Sequence, residues 1–314
     1  MAGGYKIFID GSQGTTGLNI RERLAGHEEI TILEISEEDR KVSAKRAELL
    51  NECDVAFLCL PDDAAVEAVG LVTDPSTRII DASTAHRTLS PFVYGFAELS
   101  KENRKAICSA DRVAVPGCYA TGFLALAIPL LEAGIITPSF PLSCFGISGY
   151  SGGGKSMIAD YESEGRDIGH SSPRMYSIAQ GHKHLKEMQG IAGLDSPPLF
   201  NPIVADYYSG MIVSIPLYTS MLSKPVDGQG ITKIYKDKFA GEQLINVLDF
   251  TDEAIYYASN GLQGLDNMEI LVCGNKDRIT LNARFDNLGK GASGAAIQCL
   301  NLMLGFEEVK GLKV

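Results

Sequence analysis

The sequence predicts an α/β protein in which a parallel sheet flanked by helices precedes a second, α+β domain with a mixed or antiparallel sheet. Three observations predict it. In the first third, apolar runs of five to eight residues alternate with amphipathic stretches, the signature of a sheet covered on both faces. Beyond Cys118 the apolar runs lengthen and follow one another directly, as strands of a mixed sheet do. The length of 314 residues, with 45% hydrophobic and 21% charged residues, suits two globular domains.

Taken in order, "YKIFID" is the first strand, "LNIRERLAG" a helix and "ITILEI" the second strand. "SAKRAELLNE" is a polar helix, "DVAFLCLP" a third strand, "DAAVEAVGLV" a helix and "RIIDAS" a fourth strand. "RVAV" is a strand that turns at Pro116 and Gly117 into an apolar helix ending near Gly134. "MIVSIPLYTSM", "NMEILVCG" and "RITLNARFD" are the longer strands of the second domain. "GASGAAIQCLNLMLGF" reads as a helix with Ala295, Cys299, Leu302 and Met303 on one face, returning to the first domain. The expected boundaries are 1–117, with 289–314 returning to it, and 118–288.

Net charge is −11, and the basic residues are scattered, so no nucleic-acid surface is expected. An anionic substrate needs a local basic pocket against that field. The seven cysteines are odd in number and form no C-x-x-C, which favours free thiols in a reducing, cytoplasmic setting. "MAGGYKIFID" has no signal-peptide build. The charge-free run from Val113 to Leu131 is long enough to span a bilayer, but Pro116, Gly117 and Pro129 break it into a strand, a turn and a buried helix. No membrane association is expected.

"DGSQGTTG" follows the first strand and opens the first helix, with Gly11, Gly14 and Gly17 spaced G-x-x-G-x-x-G. Glycine lets backbone N–H groups approach a pyrophosphate, and the helix N-terminus favours its charge. This predicts a Rossmann-type dinucleotide site, with Ser12, Thr15 and Thr16 in the same loop. The ribose is read at the end of the second strand. Glu34 there suits a 2′-hydroxyl, whereas Ser36, Arg40 and Lys41 suit a 2′-phosphate, so the residues alone leave NAD and NADP open.

In "AVPGCYATGFLALAIPLLEAG", Cys118 stands at the start of an apolar helix. The dipole there lowers a thiol pKa, and each unit is about 1.4 kcal/mol, or nearly tenfold in thiolate at neutral pH. Cys118 is the nucleophile candidate. Among the five histidines, His27 reads as a solvated helix end and His170 as a loop residue, while His86 follows a strand and can reach a site. His182 and His184 are the obvious bases. On a helix, i and i+2 point about 200° apart, so one of the pair should face the thiol. H-x-H also fits a metal, yet no neighbouring Cys, Asp or third His completes a set, and none is expected.

"GYSGGGKS", Gly149 to Ser156, matches G-x-x-x-x-G-K-[ST]. Triphosphatase chemistry also wants a second-strand aspartate, and the better nucleotide cradle lies at Gly11 to Gly17. The loop reads better as a cover for a substrate phosphate, with Lys155 as counter-charge.

"VAVPGCYATG" resembles the nucleophile motif of the N-acetyl-γ-glutamyl-phosphate reductase family, in its shorter variant, within the aspartate-semialdehyde-dehydrogenase-like superfamily. "GSQGTTG", "DASTAHR", "YGFAEL", "SGYSGGGKS", "HKHLKEM" and "DNLGKGASGAAIQCLNLMLG" extend the likeness nearly end to end. Lys186 replaces the proline of the H-x-P-E segment, and "FNPIVADYYSGMIVSIPL" lacks the substrate-arginine form of the longer enzymes.

The resemblance implies an NADP(H)-dependent, oligomeric enzyme of arginine biosynthesis, a homodimer or homotetramer. In such an enzyme Cys118 forms a thioester from an acyl phosphate, assisted by His184 or, second, His182. It implies Asn287 at the cofactor, and Ser83, His86, Arg87, Ser151, Gly152, Gly153 and Lys155 at the substrate. Arg87, Lys155 and Lys290 are the basic candidates inside the matching motifs. The rival readings are a reductase of aspartyl or aminoadipyl phosphate and a catalytically silent NADP-binding regulator.

Overall fold

The computed structural model describes residues 4–253 and 256–314. The first three residues, included in the signal-peptide reading, lie outside the described residues. The chain forms two compact units, Met1–Pro116 with Ala292–Leu312, and Gly117–Gly291 with Lys313–Val314.

The first unit contains β1 (Tyr5–Asp10), α1 (Thr15–Leu24), β2 (Ile30–Leu33), α2 (Ser43–Glu52), β3 (Val55–Leu58), α3 (Asp62–Leu71), β4 (Arg78–Asp81), β5 (Val93–Tyr94), α4 (Lys101–Ser109) and β6 (Arg112–Ala114). Its strands pair in the order β2-β1-β3-β4-β6-β5, all parallel. Ile7 and Ile9 of β1 face one apolar core and Phe8 the other, and all three are buried. A strand apolar on both sides needs helices on both faces, which explains the unbroken run of the sequence. Strand order reverses at β1, with β2 on one side and β3 on the other. In open parallel sheets the crevice at that switch point takes the ligand.

The second unit contains α5 (Cys118–Glu132), β7 (Ser143–Gly149), α6 (Gly154–Glu162), β8 (Arg174–Met175), α7 (His184–Ala192), β9 (Leu199–Ala205), β10 (Met211–Tyr218), α8 (Gly228–Lys238), β11 (Ile245–Val247), β12 (Met268–Gly274) and β13 (Arg278–Phe285). The mixed sheet runs β11-β12-β13-β10-β7-β9-β8. Helix α5 lies on β10 and β13, and its sequence, free of charge up to Leu131, is buried over residues 119–127. Among the described residues no helix is long and apolar enough to cross a membrane.

The last helix, α9 (Gly294–Leu304), packs on α4, α1 and β4 of the first unit. The expected single apolar face is an underestimate. Ala295, Cys299 and Met303 are buried, but so are Gln298 and Asn301 on other sides of the helix. Gln298 donates to Glu98 and Glu308, and Asn301 Nδ2 donates to the carbonyls of Glu308 and Lys310, while Asn301 Oδ1 is buried without a hydrogen-bond partner among the described residues.

Candidate active site

In the first unit, the β1–α1 turn is built by its glycines. Gly11 has φ +87°, and a Cβ on it would lie 2.3 Å from the Cys59 carbonyl oxygen at the end of β3. A Cβ on Gly17 would lie 2.5 Å from the Gly11 carbonyl oxygen. The turn closes with Gly14 N donating to Gly11 O at 2.9 Å. Gly14 caps α1 without any side-chain acceptor, which leaves the first-turn N–H groups of the helix without a side-chain cap from that position. Close backbone approach and an open helix N-terminus fit a dinucleotide pyrophosphate. Ser12 lies half-buried within the turn. Behind it, Asp10 is buried against Arg46 of α2 at 2.9 Å; burial pushes its carboxyl up and Arg46 opposes the rise.

At the end of β2, Glu34 accepts two hydrogen bonds from Arg21 of α1, at 2.8 and 2.5 Å. Ser36 donates to Asp39 at 2.8 Å and Arg40 pairs with Glu37 at 2.9 Å. Lys41 is exposed.

At the end of β4, Ser83, His86 and Arg87 are turned inward. The Ser83 hydroxyl donates to Asp81 at 2.7 Å and His86 Nδ1 lies 2.6 Å from the same carboxylate oxygen. The His86 ring stacks on Phe92 at 4.3 Å. Arg87 donates to the carbonyls of Val115 (2.8 Å) and Ala82 (3.2 Å). His27, expected at a solvated helix end, is instead 3% exposed beneath Phe306 and Gly311, because the segment after α9 folds over it.

In the second unit, Cys118 is the first residue of α5, and its preceding residue Gly117 is the helix cap. The Gly117 amide donates to Glu187 Oε1 of α7 at 2.8 Å. A Cβ on Gly291 would meet the Cys118 Cβ at 2.9 Å, so the chain there approaches the cysteine as closely as glycine allows. The remaining six cysteines are also free thiols. Burial pushes Cys53 and Cys59 up to about 12 and Cys144 higher still, which makes them inert.

The histidine pair departs from the helical expectation. Helix α7 begins at His184, so His182 lies before it and the i, i+2 divergence does not apply. The two rings meet edge to face at 4.7 Å, and His182 Nδ1 accepts the His184 amide at 3.1 Å. His182 thereby serves as an N-terminal acceptor for the helix. Burial, with Lys183 beside it, pulls its pKa down to about 4. Tyr119, next to the nucleophile candidate, lies 5.7 Å from the His182 ring and 6.0 Å from His184. Tyr176 donates to the Tyr119 hydroxyl at 3.2 Å. Burial raises both phenols well above their ordinary range, and a negative Cys118 adds to the rise in each. Glu187, Tyr119 and Tyr176 were not singled out from sequence. Glu187 had a signal in the H-x-x-E spacing; Tyr176 had none.

The loop Gly149–Ser156 does run from strand β7 into α6. Its Ser151 hydroxyl accepts from Asn287 Nδ2 at 2.9 Å, and Asn287 Oδ1 accepts the Gly210 amide at 2.8 Å. Asn287 therefore holds the loop base. Gly152, Gly153 and Lys155 are exposed above it, whereas Lys290 is buried.

An acyl group held on a thiol becomes an aldehyde only with a hydride donor, and a dinucleotide-type unit accompanies the thiol in this chain. The class indicated is an aldehyde-forming oxidoreductase. The family model for the semialdehyde dehydrogenase NAD binding domain matches residues 6–108, and that for the semialdehyde dehydrogenase dimerisation domain matches 118–287. N-acetyl-gamma-glutamyl-phosphate reductase 2 of Nostoc sp. is 46% identical, covering 98% of this chain and 99% of its own. The N-acetyl-gamma-glutamyl-phosphate reductase of Mesorhizobium japonicum is 44% identical, over 96% and 99%. Aspartate semialdehyde dehydrogenase II of Vibrio cholerae, solved in complex with ASA, superposes with a TM-score of 0.72 at 16% identity, over 96% of this chain and 98% of that one. That likeness speaks for the fold alone. The chain belongs to the semialdehyde dehydrogenase family, in its N-acetyl-γ-glutamyl-phosphate reductase branch.

Proposed function

We propose that the chain reduces N-acetyl-γ-glutamyl phosphate to N-acetylglutamate semialdehyde and inorganic phosphate, with NADPH, in arginine biosynthesis. The observation that carries this reading is Cys118 at the head of a buried helix, its cap amide tied to the histidine-bearing α7. The Cys118 thiolate attacks the acyl carbonyl, a C–S bond forms, and the C–O bond to phosphorus breaks with loss of phosphate. NADPH, when bound, would supply the hydride for reduction of this thioester. His184 gives a proton to the resulting oxyanion and takes it back as the thiohemiacetal collapses to aldehyde and thiolate. His182, neutral and bonded to the helix end, orients His184.

Gly11, Ser12, Gly14, Thr15, Thr16 and Gly17 hold the pyrophosphate, and Ser36, Arg40 and Lys41 border the 2′-phosphate. Ser151, Gly152, Gly153 and Lys155 take the substrate phosphate, with Asn287 fixing the loop base. Ser83, His86 and Arg87 shape the end of β4 through their buried bonds. Residues 1–117 with the C-terminal helix act as the cofactor domain, and 118–288 as the catalytic and dimerisation domain. The enzyme works in the cytoplasm as a homodimer or homotetramer, which the match to a dimerisation domain supports.

The test is the reverse reaction, run with phosphate, NADP and each candidate semialdehyde. Turnover of N-acetylglutamate semialdehyde well above the aspartate and aminoadipate analogues supports the reading. Preference for another semialdehyde overturns the substrate, and absence of turnover with all three overturns the activity.

A further inference from the structure

The position that reads the cofactor ribose carries a carboxylate, and the structure shows that carboxylate already engaged. Glu34 follows β2, about twenty residues beyond the glycine turn, where an acidic residue ordinarily accepts the 2′-hydroxyl of NAD. A free carboxylate there repels a 2′-phosphate. In this chain Arg21 of α1 grips both oxygens of Glu34, through Nη1 and Nη2 at 2.8 and 2.5 Å. Arg21 spends two of its five N–H donors on Glu34 and keeps the others. The first cation beyond Glu34, Arg40, is committed to Glu37 at 2.9 Å.

We propose that the Arg21–Glu34 pair sets cofactor choice: Arg21 cancels the Glu34 charge and offers its remaining donors to the 2′-phosphate of NADP(H). A guanidinium fork binds phosphate in the same bidentate manner as a carboxylate. Glu34 acts as a resident counter-ion that holds Arg21 at the end of β2 and competes with the phosphate for it. The proposal rests on the reading of the chain as an NADP(H)-dependent reductase. It adds Arg21, a residue outside the glycine turn and outside the segment that follows β2.

Both side chains are substantially exposed, at 43% and 59%, so their replacement leaves the packing of α1 and β2 intact. The experiment measures Kd for NADPH and NADH by nicotinamide fluorescence on the full chain, and kcat/KM with NADP and NAD in the reverse direction. Arg21→Met should weaken NADPH binding about tenfold, the equivalent of about 1.4 kcal/mol, and leave NADH equal or tighter. Glu34→Gln should tighten NADPH, since the competitor is gone. Arg21→Met combined with Glu34→Gln should remove any gain for NADH. The proposal is overturned if Arg21→Met changes NADPH and NADH affinity by the same factor, or changes neither. A wild-type protein that binds neither cofactor would instead overturn the reductase reading on which the proposal stands.

Discussion

The backbone amide of Gly117 donates to the carboxylate of Glu187 at 2.8 Å, which joins the cap of α5 to the helix that begins at His184. One buried acceptor thus ties the start of α5 to α7. Glu187→Ala removes that acceptor and leaves a buried N–H donor, at a cost of about 1–3 kcal/mol. The expected result is a lower melting temperature together with a fall in kcat larger than any change in KM. Glu187→Gln keeps an oxygen in place and should recover most of the stability, as thermal melts of the two variants will reveal.

Cys118→Ser tests the thiol itself. The side chain keeps its size, so the melting temperature should stay near wild type, while turnover falls at least about a thousandfold. Mass spectrometry of substrate-treated wild type should locate an acyl adduct on the peptide bearing Cys118. An adduct on any other peptide refutes the mechanism.

His182 has a folded pKa near 4, against an ordinary value near 6.5. Between those values the unfolded chain binds the proton and the folded chain does not. Stability is therefore full above about pH 6.5 and declines as pH falls toward 4. Buried His27, whose pKa is also lowered by burial, acts in the same direction. Urea midpoints measured from pH 7 to pH 4 should fall less steeply for His182→Asn than for wild type.

Gly122 lies inside α5, where alanine ordinarily stabilises a helix by about 1 kcal/mol. Here a Cβ would meet Val213 Cγ2 of β10 at 2.7 Å and the Phe285 ring of β13 at 2.9 Å. Gly122→Ala should therefore destabilise, and Gly122→Val should do so by about 1–3 kcal/mol. A raised denaturation midpoint in the alanine variant would show that the sheet yields to the helix.

The parts legible in sequence were those written as local pattern. The strands β1, β3 and β4 announced themselves because their central residues, 7–9, 55–58 and 79–80, are apolar in succession and buried on both faces. The turn at Gly11–Gly17 and the cysteine at the head of α5 were legible because glycine and a helix start leave marks in a few consecutive residues. Contacts set by tertiary folding were not. The burial of His27 depends on a segment far along the chain, and the inward turn of His86 and Arg87 depends on Asp81 and Val115. The His182–His184 geometry was misread because the helix boundary falls between them, and boundaries depend on where the first amide finds an acceptor.

The return of α9 to the first unit bears on how the chain is made. Ile297, Cys299 and Leu300 fill the same apolar core as Ile7, Ile9 and Phe57. A nascent chain that has emitted all six parallel strands still lacks the helix that seals one side of them. The nucleotide-binding unit, begun first on the ribosome, is completed only after synthesis has passed the whole of the second sheet. Until then its hydrocarbon surface is an open target for chaperones and for misassociation between nascent chains.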